Sequence, residues 1–129
     1  MKELTIELKN HLDRLKDRFE TTPPPENRRD RDFFEWVKQE TNPIYELLEK
    51  WEETASSLVK ERKVRIHPQQ ISATRENMEL VLMHSYFIDA RRKRYLELYQ
   101  SILFIFDQLL DELNHSNEMG NIDDSARID

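Results

Sequence analysis

One residue pair in this sequence has the spacing of a metal-binding motif. Glu112 and His115 lie three residues apart, like the Glu-x-x-His ligands of di-iron and di-manganese helical bundles. Such a site needs a second pair and two further glutamates that face the same core, and the sequence has no second Glu-x-x-His. The absence of cysteine also excludes disulfides, zinc–thiolate sites and thiol catalysis. We therefore predict that the protein binds no metal and no cofactor.

Nucleophilic catalysis has equally little support in the sequence. Ser85 directly follows His84, but adjacent residues point to different faces of a helix, so this histidine is not placed to activate this serine. A phosphate-binding loop needs several glycines, and the chain has one, Gly120. The sequence therefore favours a non-enzymatic binding or adaptor protein. The alternative is a small-molecule-binding protein or an enzyme with a pocket between helices.

Cationic side chains are concentrated in two short clusters, residues 28–31 and residues 91–94. The second cluster opens a predicted helix, where each exposed cation opposes the helix dipole at a cost of about 0.3–1 kcal/mol. A local choice that lowers stability without visible compensation often marks a functional site. The alternative is a solvated surface whose charge Asp30, Asp32 and Asp89 largely neutralise. The candidate anion- or partner-binding residues are Arg28, Arg29, Arg31, Arg91, Arg92, Lys93 and Arg94.

Charge and hydropathy limit the classes of partner. The formal net charge of −6 disfavours non-specific binding to nucleic acid, and the basic clusters predict an acidic protein partner. The longest apolar run, Ile102 to Phe106, is far shorter than the roughly 20 residues of a membrane span. Acidic side chains occur among residues 1–7, where an export signal has basic and apolar residues. We therefore predict a cytoplasmic protein with no membrane-inserted segment.

Four amphipathic segments must position these residues. Apolar side chains recur every three or four residues along each segment, which places them on one face of a helix. Asp89 is the predicted N-cap of the last helix. The predicted helices cover about residues 2–20, 30–63, 68 to a turn at 86–89, and 90–114. Residues 1–114 are then one domain, and residues 115–129 are predicted to be a flexible acidic tail.

The second helix contains a proline, which leaves two interpretations. The apolar steps continue unshifted from Phe34 to Leu58, so the pattern predicts one long helix. A kink is expected near Pro43, because its ring displaces the carbonyl of Gln39. Two collinear helices separated at Asn42, a good N-cap residue, are the alternative.

An all-α, up-and-down antiparallel four-helix bundle buries four such apolar stripes with short connections. In this topology both basic clusters lie at the same end. Residues 102–106 are apolar on every side of the last helix, so Leu103 and Phe104 are predicted to extend a surface for a homodimer or a partner, unless this helix is central. The aromatic residues predicted to line the core are Phe33, Phe34, Trp51, Tyr86, Tyr95, Tyr99, Phe104 and Phe106.

Several short motifs occur in a particular order between residues 32 and 113. They are Asp32-Phe33-Phe34-Glu35 with Val37-Lys38, Trp51, His67 with Gln70-Ile71, Glu79-Leu80-Val81-Leu82 with Ser85-Tyr86, and Lys93-Arg94-Tyr95. In order and spacing this stretch, roughly two-thirds of the chain, resembles the YppE-like family of small bacterial proteins. That family more often has Lys-Arg-Phe at the last motif and an earlier proline in the second helix. The resemblance implies a four-helix bundle of unknown function and implies no catalytic residues.

Overall fold

The chain folds as an all-α bundle. The structure, a computed structural model, describes the backbone of residues 1–27 and 29–128 and the side chains of residues 1–27 and 29–115. Those ranges contain four helices and no strand. The helices are α1 (Lys2–Thr21), α2 (Arg31–Lys60), α3 (Pro68–Phe87) and α4 (Arg92–Ile128).

The second helix is continuous through its proline, as the unshifted apolar pattern predicted. Pro43 lies inside α2, and the buried positions on either side of it, Thr41 and Ile44, stay on one face. Proline has no backbone N–H and cannot donate to the carbonyl of Gln39, but packing of the flanking residues keeps the helix in one piece. The alternative of two helices separated at Asn42 is wrong. The kink stays a prediction.

The core lies between the apolar faces of the helices. The parallel helices α1 and α3 pack against each other, and each also packs against α2 and α4, which lie on opposite sides of that pair. Side chains of α2 and α4 meet across the centre, where the rings of Trp51 and Phe106 form an edge contact at 5.3 Å. The indole Nε1 of Trp51 donates a hydrogen bond to Thr5 Oγ1 at 3.1 Å, which satisfies its only donor in the core.

Local signals fix where α3 begins. Pro68 occupies its first turn, and His67 precedes it as the N-cap. The imidazole of His67 accepts from the backbone N–H of Gln69 at 3.1 Å, while the side chain of Gln70 accepts from the backbone N–H of His67 at 2.9 Å. This capping box satisfies backbone donors that a helix start otherwise leaves unpaired.

The predicted bounds of α4 are wrong at both ends. The helix begins at Arg92 rather than Ala90, and Asp89 does not cap it, because its carboxylate contacts His84 Nδ1 at 2.7 Å. The left-handed backbone of Ile88 (φ 51°) ends α3 and turns the chain toward α4. Backbone helix continues beyond the predicted end at Asn114. Of the predicted acidic tail, the side chains after His115 lie outside the described residues.

Two aromatic residues predicted for the core are exposed instead. Phe34 is 43% exposed, because the first turn of α2 lies at the end of the bundle, where Phe87 is its ring neighbour. Phe104 is 65% exposed, because Ile102 and Phe106 already occupy the core face and the residue between them points the other way. The last helix is therefore not central, and it leaves an apolar side chain in solvent.

Candidate functional site

The two basic clusters lie at the same end of the bundle, as the topology predicted. The end of α1, the start of α2, the end of α3 and the start of α4 meet there. We call this the basic end. Arg29, Arg31 and the four cations of residues 91–94 are all exposed there, while Arg28 lies outside the described residues.

Few of these cations have an acidic partner. Arg92 Nη2 lies 3.2 Å from Glu20 Oε1, and Arg94 Nη1 lies 3.9 Å from Glu97 Oε2 on the next turn. Within the described residues, the remaining cations have no carboxylate oxygen within 4.0 Å. These are Arg29, Arg31, Arg91 and Lys93. The negative charges nearby therefore neutralise only part of the cluster directly.

The start of α4 has no side-chain cap among the described hydrogen bonds. The carbonyl of Arg91 accepts from the backbone N–H of Tyr95 at 3.0 Å, which makes Arg91 the N-cap residue. An arginine cannot accept a hydrogen bond from the free backbone donors, and its charge opposes the helix dipole. The basic cluster therefore begins a helix at a position that favours Ser, Thr, Asp or Asn.

Arg18, which the sequence did not single out, is the most distinctive cation at the basic end. Its guanidinium carbon lies 4.7 Å from the ring centre of Tyr86 and 5.1 Å from that of Trp36. Its Nε atom is buried and has no hydrogen-bond partner among the described residues, and no carboxylate of those residues is within 4.0 Å. The two rings stabilise the cation through their π faces but do not accept a hydrogen bond from Nε.

A cleft of about 460 Å³ opens beside Arg18. The segment from Pro23 to Pro25 forms one wall, and Phe33 and Tyr86 form an aromatic wall. Glu26 and Asp30 also line it, so the described lining contains one cation and two carboxylates. An arginine at the wall of such a cleft presents a planar donor fork, which suits a carboxylate or a phosphate.

A second concave surface lies between α3 and α4. This groove of about 490 Å³ contains the exposed ring of Phe104, and Glu97 is the single charged residue among the described residues that line it. Its other lining residues are Gln70, Ala73, Thr74, Asn77, Gln100, Ser101 and Ile105. In a chain with 36% charged residues, this is an unusually uncharged stretch of surface.

The Glu112 and His115 pair is far from this end and does not form a cluster of ligands. Glu112 Oε1 accepts from the backbone N–H of Arg65 at 3.0 Å, which ties α4 to the loop before α3. Its other oxygen, Oε2, is buried without a hydrogen-bond partner among the described residues. His115 is exposed. Over the described part of the chain, no group of three or more His, Asp or Glu side chains is arranged as metal ligands.

Comparison with known proteins identifies the family. The family model described as "Bacterial domain of unknown function (DUF1798)" matches residues 5–113. This chain belongs to the DUF1798 family. The uncharacterized protein YppE of Bacillus subtilis (strain 168) is 31% identical to it over 83 residues, which are 64% of this chain and 68% of YppE. The crystal structure of YppE from Bacillus subtilis has a TM-score of 0.78, with 24% identity, over 91% of this chain and 94% of that chain.

These matches confirm the YppE-like resemblance and the four-helix bundle, and they assign no site to the DUF1798 fold. None of the helices in the described ranges has both the length and the apolar character that a membrane span requires.

The sequence had only weak signals for the surroundings of Arg18. Arg18 lies three residues after the buried Leu15, at the edge of the buried face of α1. Trp36 lies directly before the buried Val37, at the edge of the buried face of α2. Flanking positions are normally occupied by long amphipathic side chains, so neither residue stands out before the helices are assembled.

Proposed function

We propose that this protein is a non-enzymatic binding or adaptor protein that recognises an acidic partner through its basic end. The observation that carries the proposal is the group of exposed cations there, of which Arg29, Arg31, Arg91 and Lys93 have no carboxylate within 4.0 Å in the described residues. A local positive region on a chain of net charge −6 speeds association with acidic partners and orients them toward this end.

Arginine is the main cation of the cluster, which favours carboxylates and phosphates over other acceptors. Its planar fork donates two parallel hydrogen bonds, whereas lysine acts as a point charge. The overall negative charge argues against nucleic acid, which would be repelled by the rest of the surface. We therefore propose an acidic protein. The proposal includes the cytoplasm as its location, which fractionation of bacterial cells and immunoblotting would test.

The test replaces Arg91, Arg92 and Arg94 together by Gln. The matched control makes the same charge change at the other end of the bundle, with Lys60, Arg62 and Lys63 replaced by Gln. Both variants should keep the helical circular dichroism spectrum, because all six side chains are exposed.

The readout is binding of a labelled poly-L-glutamate peptide, measured by fluorescence anisotropy. Affinity capture from bacterial extract then identifies the natural partner, and the same binding measurement is repeated with that partner. Wild type and control should bind, and binding should weaken as salt rises from about 0.1 M to 1 M, which shortens the Debye length from about 10 Å to 3 Å. The basic-end variant should lose most of this affinity. Equal affinity and equal salt dependence in both variants would overturn the proposal.

A separate observation supports self-association through α4. Phe104 is 65% exposed beside the uncharged groove between α3 and α4. Two copies of a chain with net charge −6 repel each other, so an uncharged stretch with an exposed ring is the surface on which they can meet. We propose a homodimer through this groove.

Light scattering at high protein concentration tests the dimer. Wild type should have the dimer mass, Phe104→Gln should be monomeric, and Ile6→Gln, a change at another exposed apolar residue, should remain a dimer. A monomeric wild type would contradict the proposal.

A further inference from the structure

The cleft beside Arg18 is lined by charged side chains of both signs, and Asp30 Oδ1 also accepts from the backbone N–H of Asp32 at 2.9 Å. Arg18 forms one wall, and Glu26 and Asp30 lie in the same lining. Among the described residues, none of these side chains forms an ion pair within 4.0 Å. Opposite charges that share a cleft without meeting leave room for a ligand that has both charges itself.

The surroundings of Arg18 favour an anionic group as the neighbour of its guanidinium. Arg18 is half-buried, and its Nε is shielded from water without a hydrogen-bond partner among the described residues. A buried donor without an acceptor lowers stability, and the loss is larger when the donor is charged. The rings of Tyr86 and Trp36 both contact the guanidinium, which restricts its movement before a ligand arrives.

The acidic residues decide the class of ligand. A phosphate has no cationic group for Glu26 and Asp30, and its two negative charges would face both of them. A molecule with one carboxylate and one ammonium group matches the charges of the described residues that line the cleft. The flat surfaces of Phe33 and of residues 23–25 suit an apolar side chain on that molecule.

We propose that this cleft binds a free amino acid with an aromatic side chain, with its carboxylate toward Arg18 and its ammonium group toward Asp30 and Glu26. The volume of about 460 Å³ is in the range of small-ligand sites and exceeds what such an amino acid fills. This site is distinct from the exposed cations of the proposed acidic-partner surface and does not depend on them.

The probe is L-phenylalanine, and two analogues each lack one charge. L-phenylalaninamide has no carboxylate, and 3-phenylpropionate has no ammonium group. In isothermal titration calorimetry L-phenylalanine should bind, and each analogue should bind at least about tenfold more weakly. In amide NMR spectra of the protein, the chemical-shift changes caused by L-phenylalanine should be confined to residues around the cleft, such as Asn27 and Phe33. Absence of binding, equal binding of the amide, or shifts elsewhere would overturn the proposal.

Matched variants test the two charged walls. Arg18→Met should abolish binding of L-phenylalanine, whereas Arg14→Met, one turn earlier on an exposed part of α1, should leave it unchanged. Asp30→Asn should weaken binding about tenfold, and it preserves the N-cap of α2 because Asn also caps helices well. Unchanged binding in Arg18→Met or Asp30→Asn contradicts the proposal.

Two further measurements distinguish loss of binding in the cleft from misfolding and from loss of the acidic-partner surface. If Arg18→Met does not fold, Arg18→Lys retains the charge but loses the planar fork, and it should still weaken binding. The basic-end variant, with Arg91, Arg92 and Arg94 replaced by Gln, should bind L-phenylalanine as wild type does. Failure of the cleft and failure of the acidic-partner surface are therefore distinguishable.

Discussion

The two ends of the bundle connect their helices in different ways. At the end that holds the loop between α2 and α3, which we call the capped end, Val64 and Ile66 are buried and a capping box begins α3. At the basic end, the longer segment between α1 and α2 buries no apolar side chain among its described residues, and α4 begins at an arginine. The capped end is closed by its own side chains. The basic end leaves charged groups available to another molecule.

The two ends also differ in how far their polar groups and apolar side chains are paired or packed within the chain. At the capped end, backbone donors form hydrogen bonds within the chain and apolar side chains are packed in the core. Glu112 Oε2 is an exception there, because it is buried without a hydrogen-bond partner among the described residues. At the basic end, Arg18 Nε is buried without a hydrogen-bond partner among the described residues, and Arg91 occupies an N-cap position that favours Ser, Thr, Asp or Asn. Proteins commonly accept lower stability at the surfaces that bind.

The largest expected change in the free energy of unfolding comes from comparing the packing of the α2–α3 loop with that of the segment between α1 and α2. Ile66→Ala at the capped end should lower the free energy of unfolding by about 2–5 kcal/mol, because Ile66 is 2% exposed and truncation leaves a cavity. Pro24→Ala at the basic end, where Pro24 is exposed, should change it by less than about 1 kcal/mol. Urea denaturation followed by circular dichroism measures both. Similar losses in the two variants would mean that the ends are packed alike.

The contrast between the ends was only partly predictable from the sequence. The helix stripes predicted the bundle, the continuity of α2 and the convergence of the basic clusters, because periodicity within one helix determines which face is buried. The sequence did not predict the contact of Arg18 with Trp36 and Tyr86, since these residues come from three different helices. It also predicted a buried environment for Phe34, which is exposed, because an apolar residue near a stripe is buried only where a neighbouring helix covers it. For Phe104 the sequence predicted both a core position and an exposed surface, and the side chain is exposed.

The cap of α4 is another example of the limits of local patterns. Asp89 has the residue type of an N-cap, but the left-handed turn at Ile88 directs its carboxylate to His84 instead. The helix then begins three residues later, at Arg92. Propensity rules name a suitable residue, whereas the geometry of the turn decides which residue is in position.

The smallest expected effect concerns the same helix start. Arg91→Asp should raise the free energy of unfolding by about 1 kcal/mol, because aspartate at the N-cap accepts from free backbone donors and complements the helix dipole. Arg91→Gln removes only the unfavourable charge and should give a smaller gain, so the difference between the two variants measures the cap. Thermal and urea denaturation should both rank Arg91→Asp as more stable than Arg91→Gln, and Arg91→Gln as more stable than wild type.

The stabilised Arg91→Asp protein should also bind poly-L-glutamate less well than wild type does, because its new carboxylate would repel the carboxylates of the peptide. A loss of stability in Arg91→Asp would mean that Arg91 already stabilises the fold, and the basic end would then be no less optimised than the capped end.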